Sequence, residues 1–301
     1  MTTFLSLTFA GLSLGAVYFL AASGLSLIYG LMDILNFAHG MFMTLGAYAG
    51  WDLATHLPSN TPSVLTFALE VLAAVVGGAL AALLTEVVFI RPLYGKPLSQ
   101  VLVTIGLDLA VVALLLGGFG ANSLSLPVPL WFLEATHAGS VLLPNADFVA
   151  LVGGVVVLLG LEWFLRHTRF GIVIRAGVEN REMVSALGVD VGRAFTLVFV
   201  IGGAMAGLAG LLYTAVFTGD LLSPLQGDGL LIFAFIVVVI GGLGSIRGSA
   251  IAAVVVGLLQ DYANYYGGQH PGFSEIGNLS TVLLLALVLE SRPRGLLGRA
   301  T

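Results

Sequence analysis

The feature that most constrains this chain is a series of nine apolar stretches separated by short polar or Pro- and Gly-rich breaks. Several could cross a bilayer, since a membrane-spanning helix needs about 20 mostly apolar residues. Only 9% of the 301 residues are charged, against about 25% in soluble proteins. These features predict an all-α polytopic transmembrane bundle of about eight or nine membrane segments, forming a single domain over residues 1–301. The stretches cover residues 5–30, 35–53, 64–90, 98–120, 148–165, 194–217, 230–244, 249–266 and 276–289.

The eleven Lys and Arg residues occur in only some of the breaks between these stretches. Five lie in the longest polar segment, residues 166–193, whereas four other breaks contain none. Because basic residues accumulate on the cytoplasmic side of a membrane protein, segment 166–193 and the C-terminus are predicted to be cytoplasmic. The other six basic residues are Arg91, Lys96, Arg247, Arg292, Arg294 and Arg299, and the breaks without any are 55–63, 121–147, 218–229 and 267–275.

The beginning of the chain leaves its own orientation open. Nine crossings would place the N-terminus outside, and eight would place it inside if residues 33–53 were re-entrant. Neither flank of the first stretch carries a Lys or Arg, so the distribution of charge does not decide between the two.

Two absences limit the chemistry of the chain. It has no cysteine, which excludes disulfides, thiolate catalysis and most zinc sites. It also lacks the GxxxxGK[ST] loop that binds ATP phosphates. We therefore expect no catalytic residue, no metal and no cofactor in this chain, and any use of ATP must belong to a partner.

Polar residues inside two of the apolar stretches are candidates for function. Asn36, His39 and Gly40 lie within five residues, and polar groups in a bilayer are costly unless they pair or line a cavity. They could form an interhelical hydrogen bond or line a solute pathway. Asp108, near the middle of stretch 98–120, could meet a substrate ammonium group, relay a proton or accept hydrogen bonds from a neighbouring helix.

Segment 166–193 contains a run, residues 179–187, that is predicted to form a short helix. Three apolar residues spaced i, i+3 and i+4 give it an apolar edge, and the glycine that follows supplies a C-terminal stop. It is either a solvated surface helix or a coupling helix that inserts its apolar edge into a soluble partner while charged residues orient the contact. The candidate coupling residues are Glu179, Asn180, Arg181, Glu182, Met183, Ala186, Leu187 and Gly188.

Glycine spacing predicts how the helices pack. Small residues four apart allow helix backbones to approach closely, and the run at 241–248 is typical of a tight turn between two spans. The pairs four apart are Gly11/Gly15, Gly46/Gly50, Gly203/Gly207 and Ala206/Gly210.

Several short motifs follow one another along nearly the whole chain. GLSLIYG at 24–30 precedes NFAHG at 36–40 and GAY at 46–48. In this order they resemble the permeases of branched-chain amino acid ABC importers, and the NFAHG form is similar to the first member of the permease pair in such systems. The other matching motifs are IRPL at 90–93, TIG at 104–106, TRFG at 168–171, RA at 175–176, ALG at 186–188, GGLGS at 241–245, RP at 292–293 and GLLG at 295–298.

The resemblance implies a subunit of the bacterial inner membrane that moves branched-chain or other amino acids by alternating access. It also implies a second related permease, two cytoplasmic subunits that bind ATP and Mg²⁺, and an external solute-binding protein. Asp108 and Phe233 depart from the family, whose members usually have a small or neutral residue at the first position and in some cases a basic one at the second. The alternative is a stand-alone secondary transporter or channel for a small polar solute such as urea or an amide, using Asp108 as its ion site.

Overall fold

The computed structural model describes residues 2–57, 63–139, 141–179, 183–184, 191–217, 219, 221–270 and 276–298. Within these residues the chain forms a bundle of ten α-helices with two small pairs of strands. The helices are α1 (Thr2–Met32), α2 (His39–His56), α3 (Val64–Leu84), α4 (Pro97–Phe119), α5 (Asn145–His167), α6 (Arg169–Glu179), α7 (Val191–Phe217), α8 (Gln226–Gly241), α9 (Ile246–Gly267) and α10 (Ile276–Ser291). The strands are β1 (Leu124–Ser125), β2 (Ala135–Ala138), β3 (Val141–Pro144) and β4 (Leu221–Leu222).

Each of the nine apolar stretches coincides with one of these helices, so the prediction of an all-α polytopic membrane bundle is confirmed. Six helices of the described residues are long and apolar enough to cross a membrane, namely α1, α3, α4, α5, α7 and α9. The helices α8 and α10 are apolar but shorter, with 16 residues each. The helix α3 continues through a π-helical turn at Thr85–Ile90 and a 3₁₀ turn at Arg91–Leu93.

One end of the bundle carries the strands, and we call it the hairpin face. β2 and β3 form an antiparallel hairpin there, and β1 pairs with β4. The start of α1 lies on this face, because the Ser6 hydroxyl donates to the Leu142 carbonyl at 3.2 Å and the Thr8 hydroxyl lies 2.8 Å from the Tyr262 hydroxyl. The first helix therefore begins on the hairpin face, as nine crossings require.

The other end of α1 lies among basic residues, on what we call the arginine-rich face. Met32 and Asp33 line a cavity there together with four arginines from three other parts of the chain. The junction of α3 and α4, which carries Arg91 and Lys96, reaches the same face through the ring contact of Tyr94 with Phe195 near the start of α7. The basic residues of the described chain thus share one face, as their spacing in the sequence predicts, and Arg181 and Arg299 lie outside the described residues.

Close helix packing at glycines holds the centre of the bundle together. Gly46 on α2 lies against Gly207 on α7, and Gly78 on α3 lies against Gly203 on α7, so closely that a Cβ atom at Gly46 or Gly78 would overlap the α7 backbone. On the other side of the core, a Cβ at Gly15 would lie 2.8 Å from the Ala253 carbonyl oxygen of α9. The predicted packing role of these glycine pairs is confirmed. Since lipid tails are as apolar as the helices, such backbone contact is a main source of association within a membrane.

The turn predicted at 241–248 is also confirmed. The helix α8 ends at Gly241 and α9 begins at Ile246. Gly242 and Gly244 adopt φ angles of 101° and 78°, which glycine reaches without strain. The Ser245 hydroxyl accepts a hydrogen bond from the Gly248 N–H at 3.1 Å and caps the start of α9.

Candidate functional site

The second span is broken where it enters the bundle. Residues 33–38 are not helical, and α2 begins only at His39. Asp33 has a φ of 56°, a left-handed conformation uncommon for a residue with a side chain, and it redirects the chain at the end of α1. Because α1 and α3 both run towards the arginine-rich face, the segment between them must return to the hairpin face. The segment therefore runs back from the arginine-rich face to the hairpin face, and only its part from His39 onward is helical.

His39 fixes the depth at which α2 begins. Its Nε2 lies 3.0 Å from the Ala21 carbonyl oxygen, and Ala21 is eleven residues from the end of α1, or about 16 Å along the helix axis. The ring is fully buried and its Nδ1 has no hydrogen-bond partner in the described part of the chain. A Cβ at Gly24 would lie 2.9 Å from the ring. The glycine of the GLSLIYG motif thus makes room for the histidine of NFAHG.

The starts of α2 and α8 meet inside the bundle. A Cβ at Gly227 would overlap the Gly40 carbonyl, and the Gly227 N–H donates to the Thr44 hydroxyl at 3.2 Å. From this point α2 runs towards the hairpin face and α8 towards the arginine-rich face. The first N–H groups of a helix have no partner within it and carry partial positive charge. Two such helix ends therefore face one region of the interior.

Carboxyl groups occupy this region. The Asp108 carboxyl lies within hydrogen-bonding reach of two groups. They are the Asp228 carboxyl, in the first turn of α8, and the Met41 backbone N–H, in the first turn of α2. A Cβ at Gly40 would lie 3.3 Å from Asp228 Oδ1. Oδ1 of Asp108 is buried without a hydrogen-bond partner among the described residues. Asp108 on α4 and Asp228 on α8 thus lie beside each other inside the bundle, and a carboxyl pair within a membrane bundle is suited to meet a cation or to take part in a proton relay.

Asn36 lies beside a different space. It is 2% exposed, and neither polar atom of its side chain has a hydrogen-bond partner within the described residues. It lines a cavity of about 350 Å³ between α1, α8 and α10. The remaining lining residues are all apolar, namely Leu25, Leu35, Phe37, Leu231, Ile232, Phe235, Ile236, Val282 and Leu285.

The structure thus brings Gly40 and Asp108 together through Asp228, and it places Asn36 and His39 on either side of the break. The four residues do not share one pocket, since the cavity beside Asn36 is lined by none of the other three. Asp228 was missed because it lies in a predicted break, two residues before the apolar stretch 230–244. Glu70 was also missed, although an acidic residue inside an apolar stretch is a signal in itself. It is buried on α3, and its Oε2 has no hydrogen-bond partner among the residues that the structure describes.

Comparison with known families decides the assignment. The family model described as "Branched-chain amino acid transport system / permease component" matches residues 7–290, which is nearly the whole chain. The chain belongs to this permease family. Membership agrees with the motif resemblance, and it supports a permease subunit of a transport system over a stand-alone transporter or channel.

Individual relatives of this permease belong to the same kind of transport system. The permease protein LivH of a high-affinity branched-chain amino acid transport system in Escherichia coli is 29% identical, over 98% of this chain and 96% of its own length. The corresponding protein BraD of Pseudomonas aeruginosa is 29% identical, over 96% and 94%. The ribose import permease RbsC of E. coli is 26% identical over 59% of this chain and 50% of its own length. No solved structure matches the chain.

A second cavity of the permease opens on the arginine-rich face, with a volume of about 960 Å³. It contains Asp33, at the start of the break, and lies between the ends of α1, α5 and α8. Glu162 is its other acidic residue, and it accepts a hydrogen bond from Arg247 Nε at 2.5 Å and pairs with Arg166 at 3.8 Å. The remaining arginines of the lining are Arg175 and Arg294.

The predicted polar segment 166–193 is more helical than expected. Its first residues belong to α5, and α6 then folds back against α5. The Thr168 hydroxyl accepts from the Gly171 N–H at 2.9 Å, and a Cβ at Gly171 would lie 2.6 Å from Leu165 Cα. The close fold thus requires the glycine of the TRFG motif.

Most of the predicted coupling residues cannot be compared with this geometry. Glu179 is the last residue of α6, and Met183 is helical and 62% exposed. The coupling role stays a prediction for the whole set. Outside the described residues lie Asn180, Arg181, Glu182, Ala186, Leu187 and Gly188.

Proposed function

We propose that the chain is the membrane-spanning permease subunit of an ATP-driven ABC importer, and that it moves branched-chain or other amino acids by alternating access. The observation that carries this proposal is the broken second span of a member of a transport-system permease family. Non-helical backbone at membrane depth is tolerated only where it is buried in protein or lines a cavity. Transporters use such interrupted helices to build solute sites near the middle of the bilayer.

In this proposal the solute path runs past the break, along Asn36, His39, Gly40 and Asp108. The starts of α2 and α8 meet there and the two helices run to opposite faces. A shift of one helix against the other would open one side of this contact while closing the other. Movement of packed helices between two arrangements is a common route of conformational switching.

The work for this movement comes from partner subunits. We propose a complex with a second related permease, two cytoplasmic ATP-binding subunits that hold ATP and Mg²⁺, and an external solute-binding protein. The chain itself performs no covalent chemistry. The arginine-rich face, together with the C-terminus, is then cytoplasmic in the bacterial inner membrane, and the segment around 179–188 receives the ATP-binding subunits.

Purification of the tagged permease from its native membranes tests this proposal. We expect an ATP-hydrolysing subunit to co-purify in mild detergent, and its ATPase activity to rise when leucine and the solute-binding protein are added. A matched preparation without the solute-binding protein controls for basal hydrolysis. A permease that purifies without any ATPase, and takes up solute alone when an ion gradient is imposed, would contradict the proposal and favour a secondary transporter.

A further inference from the structure

The cavity on the arginine-rich face carries an excess of positive charge. Four positive and two negative side chains in its lining give it a net charge of +2. Glu162 is paired with Arg247 and Arg166, whereas Arg175 and Arg294 have no ion pair or hydrogen bond within the described residues. Two guanidinium groups are therefore available to an anion. The charged residues of the lining are Arg166, Arg175, Arg247, Arg294, Asp33 and Glu162.

The helix ends at the cavity cancel only part of this charge. The helices α1, α5 and α8 end there and α9 begins there. A helix end carries about half a unit of charge, negative at its last carbonyl groups and positive at its first N–H groups. Three negative ends and one positive end together remove about one unit, so the cavity stays positive. The last carbonyl groups of α8 also have partners already, since they accept from the N–H groups of Leu296 and Leu297 at 2.7 and 3.0 Å.

Close packing of α6 on α1 fixes the position of Arg175. Ile174, the residue before it, is buried, and a Cβ at Gly177 would lie 2.7 Å from Leu31 Cδ1 on α1. All three residues line the cavity together with Arg175, which is itself exposed. The backbone that carries this arginine is therefore in place before a ligand binds, which lowers the entropic cost of binding.

The surroundings of the cavity indicate the depth of lipid headgroups. Trp163, next to Glu162 on α5, is 62% exposed and stacks on His167 with the ring centroids 6.2 Å apart. Tryptophan is enriched where a membrane meets water. Leu243 and Leu297 also line the cavity, and both are exposed. Apolar surface thus adjoins the arginines, and the cavity suits a molecule that has both an anionic group and a hydrocarbon part.

We propose that this cavity binds the phosphate group of an anionic phospholipid, from the leaflet on the arginine-rich face, through Arg175 and Arg294. A guanidinium group binds phosphate oxygens with two parallel hydrogen bonds, and basic pockets between transmembrane helices are typical sites for anionic headgroups. A free phosphate ion would satisfy the arginines but would leave the apolar rim uncovered. The bound lipid joins α6 to the segment after α10, where Arg294 lies. This site does not depend on the proposed function, because neither ATP nor a partner subunit takes part in it.

Native mass spectrometry of the full-length permease in detergent tests this assignment. It measures the affinity for the first bound molecule of phosphatidylglycerol, which is anionic, and of phosphatidylcholine, which has no net charge. We expect phosphatidylglycerol to bind about 25 times more tightly, since each of the two arginines contributes about fivefold. Inorganic phosphate at millimolar concentration should not release the lipid.

Matched pairs of arginine variants locate the bound lipid. Arg175→Gln combined with Arg294→Gln should lower the affinity for phosphatidylglycerol about 25-fold and leave that for phosphatidylcholine unchanged. Arg91→Gln combined with Arg169→Gln removes the same charge from exposed residues outside the cavity lining. This control should stay within about twofold of wild type, because exposed charges farther away than a Debye length are screened. If the first pair does not fold, Arg294→Gln alone, which lies after the last helix, should lower the affinity about fivefold.

Four outcomes would overturn the proposal. Equal affinity for the two lipids would show that the cavity does not bind the anionic group. Equal losses in the two pairs of variants would show that the lipid follows the overall charge of the face and not this cavity. Release of the lipid by inorganic phosphate would assign the arginines to a soluble anion, and its absence from the complete assembly would assign the cavity to a partner subunit.

Discussion

Two buried asparagines give the sharpest test of how the site is built. Asn145 accepts a hydrogen bond from the Thr136 hydroxyl at 2.6 Å and donates one to the Trp131 carbonyl at 3.0 Å. Asn36 is equally buried, but its amide has no partner in the described part of the chain. The same replacement by leucine should therefore lower the free energy of unfolding at Asn145 but not at Asn36.

The magnitude follows from the cost of an unpaired polar group, about 1–3 kcal/mol when it is buried. Asn36→Leu removes this cost, so we expect the free energy of unfolding to stay the same or to rise by up to about 3 kcal/mol. Asn145→Leu leaves Thr136 and Trp131 without their partner, and we expect the free energy of unfolding to fall by about 1–3 kcal/mol. The two variants should thus differ by at least about 1 kcal/mol.

Equilibrium unfolding in mixed detergent micelles measures this difference, with both variants in one detergent mixture. Uptake by the assembled importer provides the second measurement, and we expect Asn36→Leu to lose most of it while Asn145→Leu retains uptake per folded molecule. Equal destabilisation by the two replacements would refute the reasoning, because it would mean that Asn36 holds the fold together through hydrogen bonds.

Three further predictions concern packing, charge and coupling. Gly207→Val should lower the yield of folded protein in gel filtration, because its side chain would overlap the Ala74 carbonyl, whereas Gly106→Val has open space and should behave as wild type. Asp108→Asn should keep uptake, because a neutral amide replaces one member of a carboxyl pair, while Asp108→Leu should reduce it; equal loss in both would show that the charge is needed. Ala186→Glu combined with Gly188→Arg should abolish co-purification of the ATPase and leave the bundle folded, and normal association would rule out the coupling site.

The membrane spans could be predicted from the sequence because each depends on local composition. Stretch 98–120 became α4 almost without change. It starts at Pro97, which is favoured in the first turn of a helix, and it ends before Gly120, whose φ of 79° stops it. The arginines lie in alternate breaks, and successive spans run in opposite directions. Their spacing therefore predicted that they share one face.

The site could be predicted only in part. NFAHG marked the break, but the partners of its residues come from distant parts of the chain, as with Gly227 against Gly40. No local pattern shows that Asp228 lies beside Asp108, about 120 residues away in sequence. The helix α6 was missed because its arginines favoured the interpretation of this segment as a polar loop. The signals for a helix were Thr168, which caps it, and Gly171, which allows the close turn after α5.

Uptake of labelled leucine into proteoliposomes that contain the complete assembly tests the central claim most directly. With the solute-binding protein outside, we expect accumulation when ATP is enclosed in the vesicles, and none with a non-hydrolysable analogue or with an ion gradient alone. The His39→Ala variant, assembled to the same level, should accumulate much less. Leucine uptake that follows the ion gradient and ignores ATP would contradict the account.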